Sequence, residues 1–106
     1  MVVKSHTILL VQPTANKPGS RTWSEYETLE ECLEGICKIY EEHLKKQNSR
    51  APKITYDLQQ LFQFLDQLAD ITCMVLHDET LTYVPHTKAW IKENIYAMLK
   101  RQANAH

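Results

Sequence analysis

The side chains best suited to catalysis or metal binding in this sequence are its histidines and cysteines: His6, His43, His77, His86 and His106, with Cys32, Cys37 and Cys73. No histidines have the His-Glu-x-x-His spacing of a zinc protease, and none stands beside a cysteine in a recognised motif. Cys32 and Cys37 are five residues apart in a segment with helical periodicity, so they point in different directions and make a poor metal pair. The paired glutamates at 30–31 and 41–42 are most simply a solvated helix face. The sequence therefore predicts no catalytic residue, no metal site and no cofactor.

Two threonines are candidate sites for regulatory chemistry, because each begins the Ser/Thr-x-x-Glu pattern that acidophilic kinases phosphorylate. They are Thr22, in Thr-Trp-Ser-Glu, and Thr28, in Thr-Leu-Glu-Glu. Thr28 also precedes an apolar periodic segment, and we prefer the interpretation that it caps a helix N-terminus. A phosphate on Thr22, close to the interface considered below, is expected to disturb packing.

Length and composition restrict the class of protein. The chain of 106 residues is long enough for one core, so we treat residues 1–106 as a single domain. A net charge of −1 and the lack of a basic stripe make direct nucleic-acid binding weak. Three cysteines without a disulfide spacing predict reduced, buried thiols, and the N-terminus lacks the apolar segment of a signal peptide. We therefore expect an intracellular protein, nuclear or cytoplasmic, with no membrane span.

Two segments read as strands that are apolar on both faces. Residues 6–12 place Ile8 and Leu10 on one side and Leu9 and Val11 on the other, and residues 71–76 repeat the pattern. Residues 21–26, after a loop at 13–20, predict a strand that forms a hairpin with the first. Residues 81–84 predict a fourth strand, which Pro85 should end.

Helical periodicity predicts three helices. Thr28 begins the first, with Glu31 as its capping-box partner. The second begins at Thr55 or Asp57, and its apolar stripe is Leu58, Leu61, Phe62, Leu65, Leu68 and Ala69. Phe64 lies off that stripe and would be a partner contact if a groove lay beside it. The third helix is capped by Thr87 and carries Trp90, Ile91, Ile95, Met98 and Leu99 on its inner face.

The order β-β-α-α-β-β-α predicts a two-layer α+β domain, with three helices on one face of a four-stranded antiparallel sheet. The second face keeps large apolar side chains that need a cover, and we assign to it Ile8, Leu10, Trp23 and Tyr83. An identical copy is the simplest cover, because a twofold axis makes one patch complementary to itself. The alternative is that a helix crosses to that side and the protein is monomeric.

A set of distinctive segments runs along the chain in order: SHTILLVQPT at 5–14, YEEHL at 40–44, ITYD at 54–57, QLF at 60–62, LAD at 68–70 and WIKE at 90–93. Residues 5–14 are similar to the N-terminal signature of the enhancer of rudimentary family, and the later segments also resemble that family. The resemblance covers residues 5–102 in order. The departures are a few extra residues before Ser5, a first loop of its own composition, Trp23 where a tyrosine is familiar, and a short tail.

The resemblance implies a homodimer of α+β subunits joined through their sheets, with Ile8 and Leu10 at the joint. It also implies a non-enzymatic, mainly nuclear adaptor that binds short peptide segments of RNA-processing proteins. Splicing, elimination of particular transcripts and small-RNA biogenesis are the processes it suggests.

Two other classes of function remain open on the residues alone. A sheet with aromatic residues such as Trp23 and Tyr83 can stack the bases of single-stranded RNA, although the net charge disfavours this. The second class is a small metabolic enzyme with its active site at the dimer junction. Binding to RNA would support the first, and turnover would support the second.

Overall fold

The computed structural model describes residues 6–14, 17–47 and 56–104. Its strands are β1 (Thr7–Gln12), β2 (Thr22–Tyr26), β3 (Asp70–His77) and β4 (Thr82–His86), and its helices are α1 (Leu29–Gln47), α2 (Leu58–Gln67) and α3 (Lys88–Asn104). A single 3₁₀ turn at Pro18–Ser20 interrupts the first loop. The predicted order β-β-α-α-β-β-α is confirmed.

The four strands form one antiparallel sheet in the order β2-β1-β3-β4. The register pairs Leu9 of β1 with Ser24 of β2 and with Cys73 of β3. Alternate residues of a strand point to opposite faces, so Leu9 and Cys73 lie on the same face of the sheet. Both are buried, which makes this the face that the helices cover.

The helices supply the other half of the core. Each presents one apolar stripe to the sheet, and the buried residues of these stripes are Cys32, Leu33, Ile36, Cys37 and Tyr40 from α1, Leu61 and Leu65 from α2, and Ile91, Ile95 and Met98 from α3. They pack with Leu9, Val11, Ile71 and Cys73 in one cluster. The three helices therefore cover one face of the sheet, as predicted.

Side-chain caps fix where the first two helices begin. The Thr28 hydroxyl accepts a hydrogen bond from the Glu31 amide at 3.1 Å, so its predicted role as an N-cap is confirmed. Asp57 and Gln60 form a complete capping box, which starts α2 at Leu58. The other predicted start, Thr55, lies outside the described residues. An extended Leu68 ends this helix before the predicted last turn.

The fourth strand differs from its prediction at both ends. Pro85 does not end β4 but lies inside it, opposite Met74. β4 is an edge strand, and an edge position whose amide would face away from the sheet needs no N–H donor. Leu81, predicted as the first strand residue, instead occupies the turn with a φ of 55°, and its amide bonds to the His77 carbonyl at 2.8 Å.

Candidate interaction surface

The sheet has a second surface, on the side away from the helices, which we call the open face. Alternation along each strand places on it Ile8, Leu10 and Gln12 of β1, Trp23 and Glu25 of β2, Thr72, Met74 and Leu76 of β3, and Tyr83 and Pro85 of β4. All four residues that the sequence suggested for an interface, Ile8, Leu10, Trp23 and Tyr83, lie here together. None of the three helices in the described ranges crosses to this side.

The apolar side chains of the open face form a continuous band across the strands. Leu10 pairs with Trp23, and Ile8 pairs with Met74. Leu10 is 39% exposed, Trp23 65% and Tyr83 36%, so three large apolar groups face solvent on one side of a protomer. Such a contiguous patch marks an interaction site more strongly than a scattered exposed residue does.

Sequence reasoning did not place three members of this band, Met74, Leu76 and Pro85, together with Ile8 and Leu10. Met74 and Leu76 were recognised as a second apolar face of their strand, but nothing local indicated that Met74 would neighbour Ile8. Pro85 was excluded because it was expected to end the strand. The strand pairing that unites these residues joins distant parts of the chain, so no spacing in the sequence could have indicated it.

Polar groups border the band at both ends of the strands. At one end, the His6 Nδ1 and the Tyr83 hydroxyl are 2.6 Å apart, and the His6 Nε2 lies 3.8 Å from a carboxylate oxygen of Glu25. At the other end, the Arg21 Nε donates to the Gln12 side-chain oxygen at 2.8 Å. An apolar centre with a polar rim is the usual anatomy of a protein–protein interface.

A pocket of about 420 Å³ lies at the Arg21 end of the open face. Leu10 and Trp23 supply apolar walls, while Gln12, Arg21 and Asp70 supply polar ones. A concave site of this kind, beside a protruding tryptophan, is suited to receiving an apolar side chain of another protein molecule.

The cysteines form no reactive site. All three are buried, and the sulfurs of Cys32 and Cys73 lie 3.7 Å apart between α1 and β3. The hydrogen bond with Cys73 and burial raise the pKa of the Cys32 thiol, and burial raises the pKa of Cys37 to about 11. Because the thiolate is the nucleophile and the metal ligand, the raised pKa values make Cys32 and Cys37 unreactive near neutral pH. The hydrogen bond with Cys32 lowers the pKa of Cys73, but the Cys73 side chain is fully buried and a reactant cannot reach it. Among the residues that the structure describes, no group of three or more His, Cys, Asp and Glu side chains is arranged to hold a metal ion.

Two further histidines, His86 and His43, pack against aromatic rings. The His86 ring stacks on Trp90 with 3.8 Å between centroids, and burial lowers the pKa of His86. The His43 ring lies 5.0 Å from that of Phe64. Phe64 also contacts Tyr40, at 4.9 Å between centroids, so its position off the α2 stripe is explained by packing against α1.

The two candidate phosphorylation sites lie in different settings. Thr28 is the N-cap of α1, as described above. Thr22 is exposed on β2, and its pairing with the buried Val11 places it on the opposite surface of the strand from Trp23. A phosphate on Thr22 would therefore point away from the open face.

Comparison with known proteins gives one consistent result. The family model described as Enhancer of rudimentary matches residues 3–105. Over 99 residues the chain is 68% identical to the Enhancer of rudimentary homolog of Echinococcus multilocularis, covering 93% of this chain and 97% of that protein. It is 58% identical to the Protein enhancer of rudimentary of Drosophila virilis, over 93% of this chain and 94% of the relative. The corresponding homolog of Arabidopsis thaliana is 36% identical over 93% and 90%. In the described part of this chain, no helix combines the length and apolarity needed to cross a membrane.

Proposed function

The chain belongs to the enhancer of rudimentary family, and from that premise we propose that it is a non-enzymatic homodimeric adaptor for RNA-processing proteins. The observation that carries the proposal is the apolar band of the open face, which no described helix covers. The resemblance to this family implies that the bound segments come from splicing, transcript-elimination or small-RNA biogenesis complexes. We expect the adaptor to act in the nucleus, the cytoplasm or both.

The first step of the proposal is pairing of two copies through their open faces. Full burial of a large apolar side chain contributes about 1.5–3 kcal/mol, so covering the exposed parts of Leu10, Trp23 and Tyr83 in both copies contributes roughly 4–8 kcal/mol. That is comparable with the whole stability of a typical domain, ~5–15 kcal/mol. A twofold axis brings the same patch of both copies together, so that the band of one copy covers the band of the other.

The second step follows from the symmetry of such a dimer. Every groove outside the joint is present twice, so one dimer holds two copies of a partner segment. A partner segment that is disordered alone can become ordered in such a groove. Holding two partners raises the effective concentration of their RNA-binding modules. This mechanism lets a protein of net charge −1 act in RNA processing without binding RNA directly.

Affinity purification with mass spectrometry tests the adaptor role. The wild type is compared with Ile8→Arg/Leu10→Arg, which places two charges in the joint, and with Tyr96→Arg, which changes a 52% exposed aromatic residue on α3 away from the open face. We expect wild type and Tyr96→Arg to recover the same RNA-processing proteins. The double variant should lose the ability to bridge two differently tagged copies of a partner. Recovery of no RNA-processing protein, or unaltered bridging by the double variant, would contradict the proposal.

Direct binding of single-stranded RNA is the second candidate function. The exposure of Trp23 and Tyr83 on one sheet surface favours it, because stacking a base on an aromatic ring contributes about 1–3 kcal/mol. It competes with pairing, since both use the same aromatic rings. Fluorescence anisotropy of a labelled single-stranded RNA distinguishes them. Salt-sensitive binding at low micromolar concentration that Trp23→Ala abolishes would favour RNA, whereas unchanged anisotropy agrees with the adaptor.

A further inference from the structure

The two edges of the sheet differ in their capacity to accept another strand. β4 forms one edge and contains Pro85, which lacks an N–H donor. β2 forms the other edge, has no proline, and pairs with β1 along its inner side. In an antiparallel ladder, alternate residues direct their N–H and C=O groups away from the paired neighbour. β2 is thus the edge better suited to pairing with an extended peptide.

A groove of about 430 Å³ lies along α1 at the Tyr26 end of β2. We call it the β2–α1 groove. Its apolar floor is formed by Tyr26, Gly35 and Ile39. A Cβ on residue 35 would lie 2.5 Å from the Tyr26 hydroxyl, so the glycine lets the tyrosine ring lie against the helix. The Tyr26 ring therefore forms part of an apolar floor, against which the side chains of a strand paired with β2 can pack.

The rim of the β2–α1 groove is acidic. Glu31, Glu34 and Glu42 line it together with a single cation, Lys38. All four side chains are exposed on the surface, so a partner can reach each of them. The excess of carboxylates favours a segment with lysine or arginine and repels an acidic one.

The spacing along α1 suits an extended segment. Residues 31, 35, 38 and 42 recur at steps of three and four, which places them in one row along the helix. Successive members of the row are about 4.5–6 Å apart along the axis. Alternate side chains of a strand are about 6.6–6.8 Å apart, so each one meets roughly one turn of the helix.

We propose that the β2–α1 groove binds a basic, extended segment of a partner protein, which pairs with β2 as a fifth strand. The side chains of the segment that point towards α1 combine apolar residues, over Tyr26 and Ile39, with lysine or arginine beside the three glutamates. This inference rests on the proposed adaptor role and identifies the surface that receives the partner. It leaves the open face available for the second copy.

The test uses the full chain and two synthetic peptides of about ten residues, the length of a long strand. In the first peptide, threonine alternates with lysine and leucine; in the second, glutamate replaces every lysine. Each is titrated into the ¹⁵N-labelled protein to about 1 mM, which detects even weak binding. We expect the lysine peptide to shift the amide signals of β2, Gly35 and Ile39, and the glutamate peptide to shift none of them.

Charge-reversal variants make the test specific. Glu31→Lys/Glu34→Lys should weaken binding of the lysine peptide by about tenfold or more, because two attractions become repulsions. The matched control Glu79→Lys/Glu93→Lys alters two exposed glutamates in the β3–β4 turn and on α3, and should bind like the wild type apart from general charge effects. The dispersion of the amide spectrum confirms that each variant is folded.

Three results would overturn the inference: no shifts with the lysine peptide, equal shifts with both peptides, or shifts confined to the open face. Equal weakening by both double variants would also overturn it, since the attraction would then come from net charge alone. Sedimentation of the same samples reports pairing separately. A dimer that binds neither peptide refutes the groove and leaves pairing intact, whereas a monomer that binds the lysine peptide supports the groove and refutes pairing.

Discussion

Truncation of Leu10 to alanine is the most informative perturbation of the proposed dimer, because its neighbour Leu9 provides a matched control. The two leucines are adjacent in β1 and point to opposite faces of the sheet. Leu9 is 1% exposed in the protomer, whereas Leu10 is 39% exposed. Leu10→Ala should therefore weaken pairing, and Leu9→Ala should weaken the fold of each protomer.

The exposed fraction of Leu10 sets how much free energy of pairing the substitution removes. Full burial of a leucine contributes about 1.5–3 kcal/mol, so the exposed part of Leu10 contributes about 0.6–1.2 kcal/mol per copy. Twofold symmetry doubles this to about 1.2–2.4 kcal/mol per dimer. The dissociation constant of the dimer should rise roughly 7- to 50-fold. Leu9→Ala removes the same atoms from a filled core, so it should lower the free energy of unfolding by about 2–5 kcal/mol.

Sedimentation equilibrium over a range of protein concentrations measures the dissociation constant, and urea denaturation measures the free energy of unfolding. Because dissociation contributes to apparent stability, denaturation is compared at several concentrations of each variant. A dissociation constant for Leu10→Ala within about twofold of wild type would refute the reasoning. It would mean that the side chain remains in solvent after association.

Four further predictions each concern a single residue. Thr28→Ala removes the hydroxyl that caps α1 and should lower the free energy of unfolding by about 1 kcal/mol in urea, whereas Thr28→Asp should retain most of it. Leu81→Gly relieves a left-handed backbone conformation at φ 55° and should raise the melting temperature, with a gain of about 1 kcal/mol. Burial, with a smaller effect of His77, lowers the pKa of His86 in the folded protein. As the pH falls, His86 is therefore protonated in the unfolded chain at a higher pH than in the folded protein. The contribution of neutral His86 to the free energy of unfolding is present above pH 6.5, the pKa of the unfolded state, and is lost as the pH falls towards the lower pKa of the folded state. His86→Gln should therefore reduce the difference between the free energies of unfolding measured in urea at about pH 7.5 and at about pH 5.5. Thr22→Glu, on the surface of β2 opposite Trp23, should change the dimer dissociation constant by less than about twofold in sedimentation, and a larger change would restore the expectation that a phosphate there disturbs the interface.

The parts of the fold that depend on local rules were predictable from the sequence. Successive side chains of a strand point to opposite faces, so Leu9 and Leu10 can be assigned to different faces of the sheet before their neighbours are known. The Thr28 cap was likewise predictable, because a hydroxyl followed by Glu31 at the start of an apolar periodic run has a direct structural meaning. The four residues assigned to the open face do lie on it together.

What the sequence did not reveal depends on long-range pairing or on position within the sheet. Pro85 ends a strand by its local preference, yet at an edge it is accepted inside β4. The contact between His6 and Tyr83 joins residues 77 positions apart, and only the strand order β2-β1-β3-β4 brings them together. The β2–α1 groove also depends on a contact between separate elements, because the Tyr26 ring of β2 packs against Gly35 of α1.

The molar mass of the wild-type protein in solution tests the central claim most directly. One chain has a mass of 12.4 kDa. Sedimentation equilibrium at about 10 µM should report twice that value, as a single species that dissociates only on strong dilution. A folded particle with the mass of one chain at that concentration would show that the apolar sheet surface tolerates water, and the account of a paired scaffold would then be wrong.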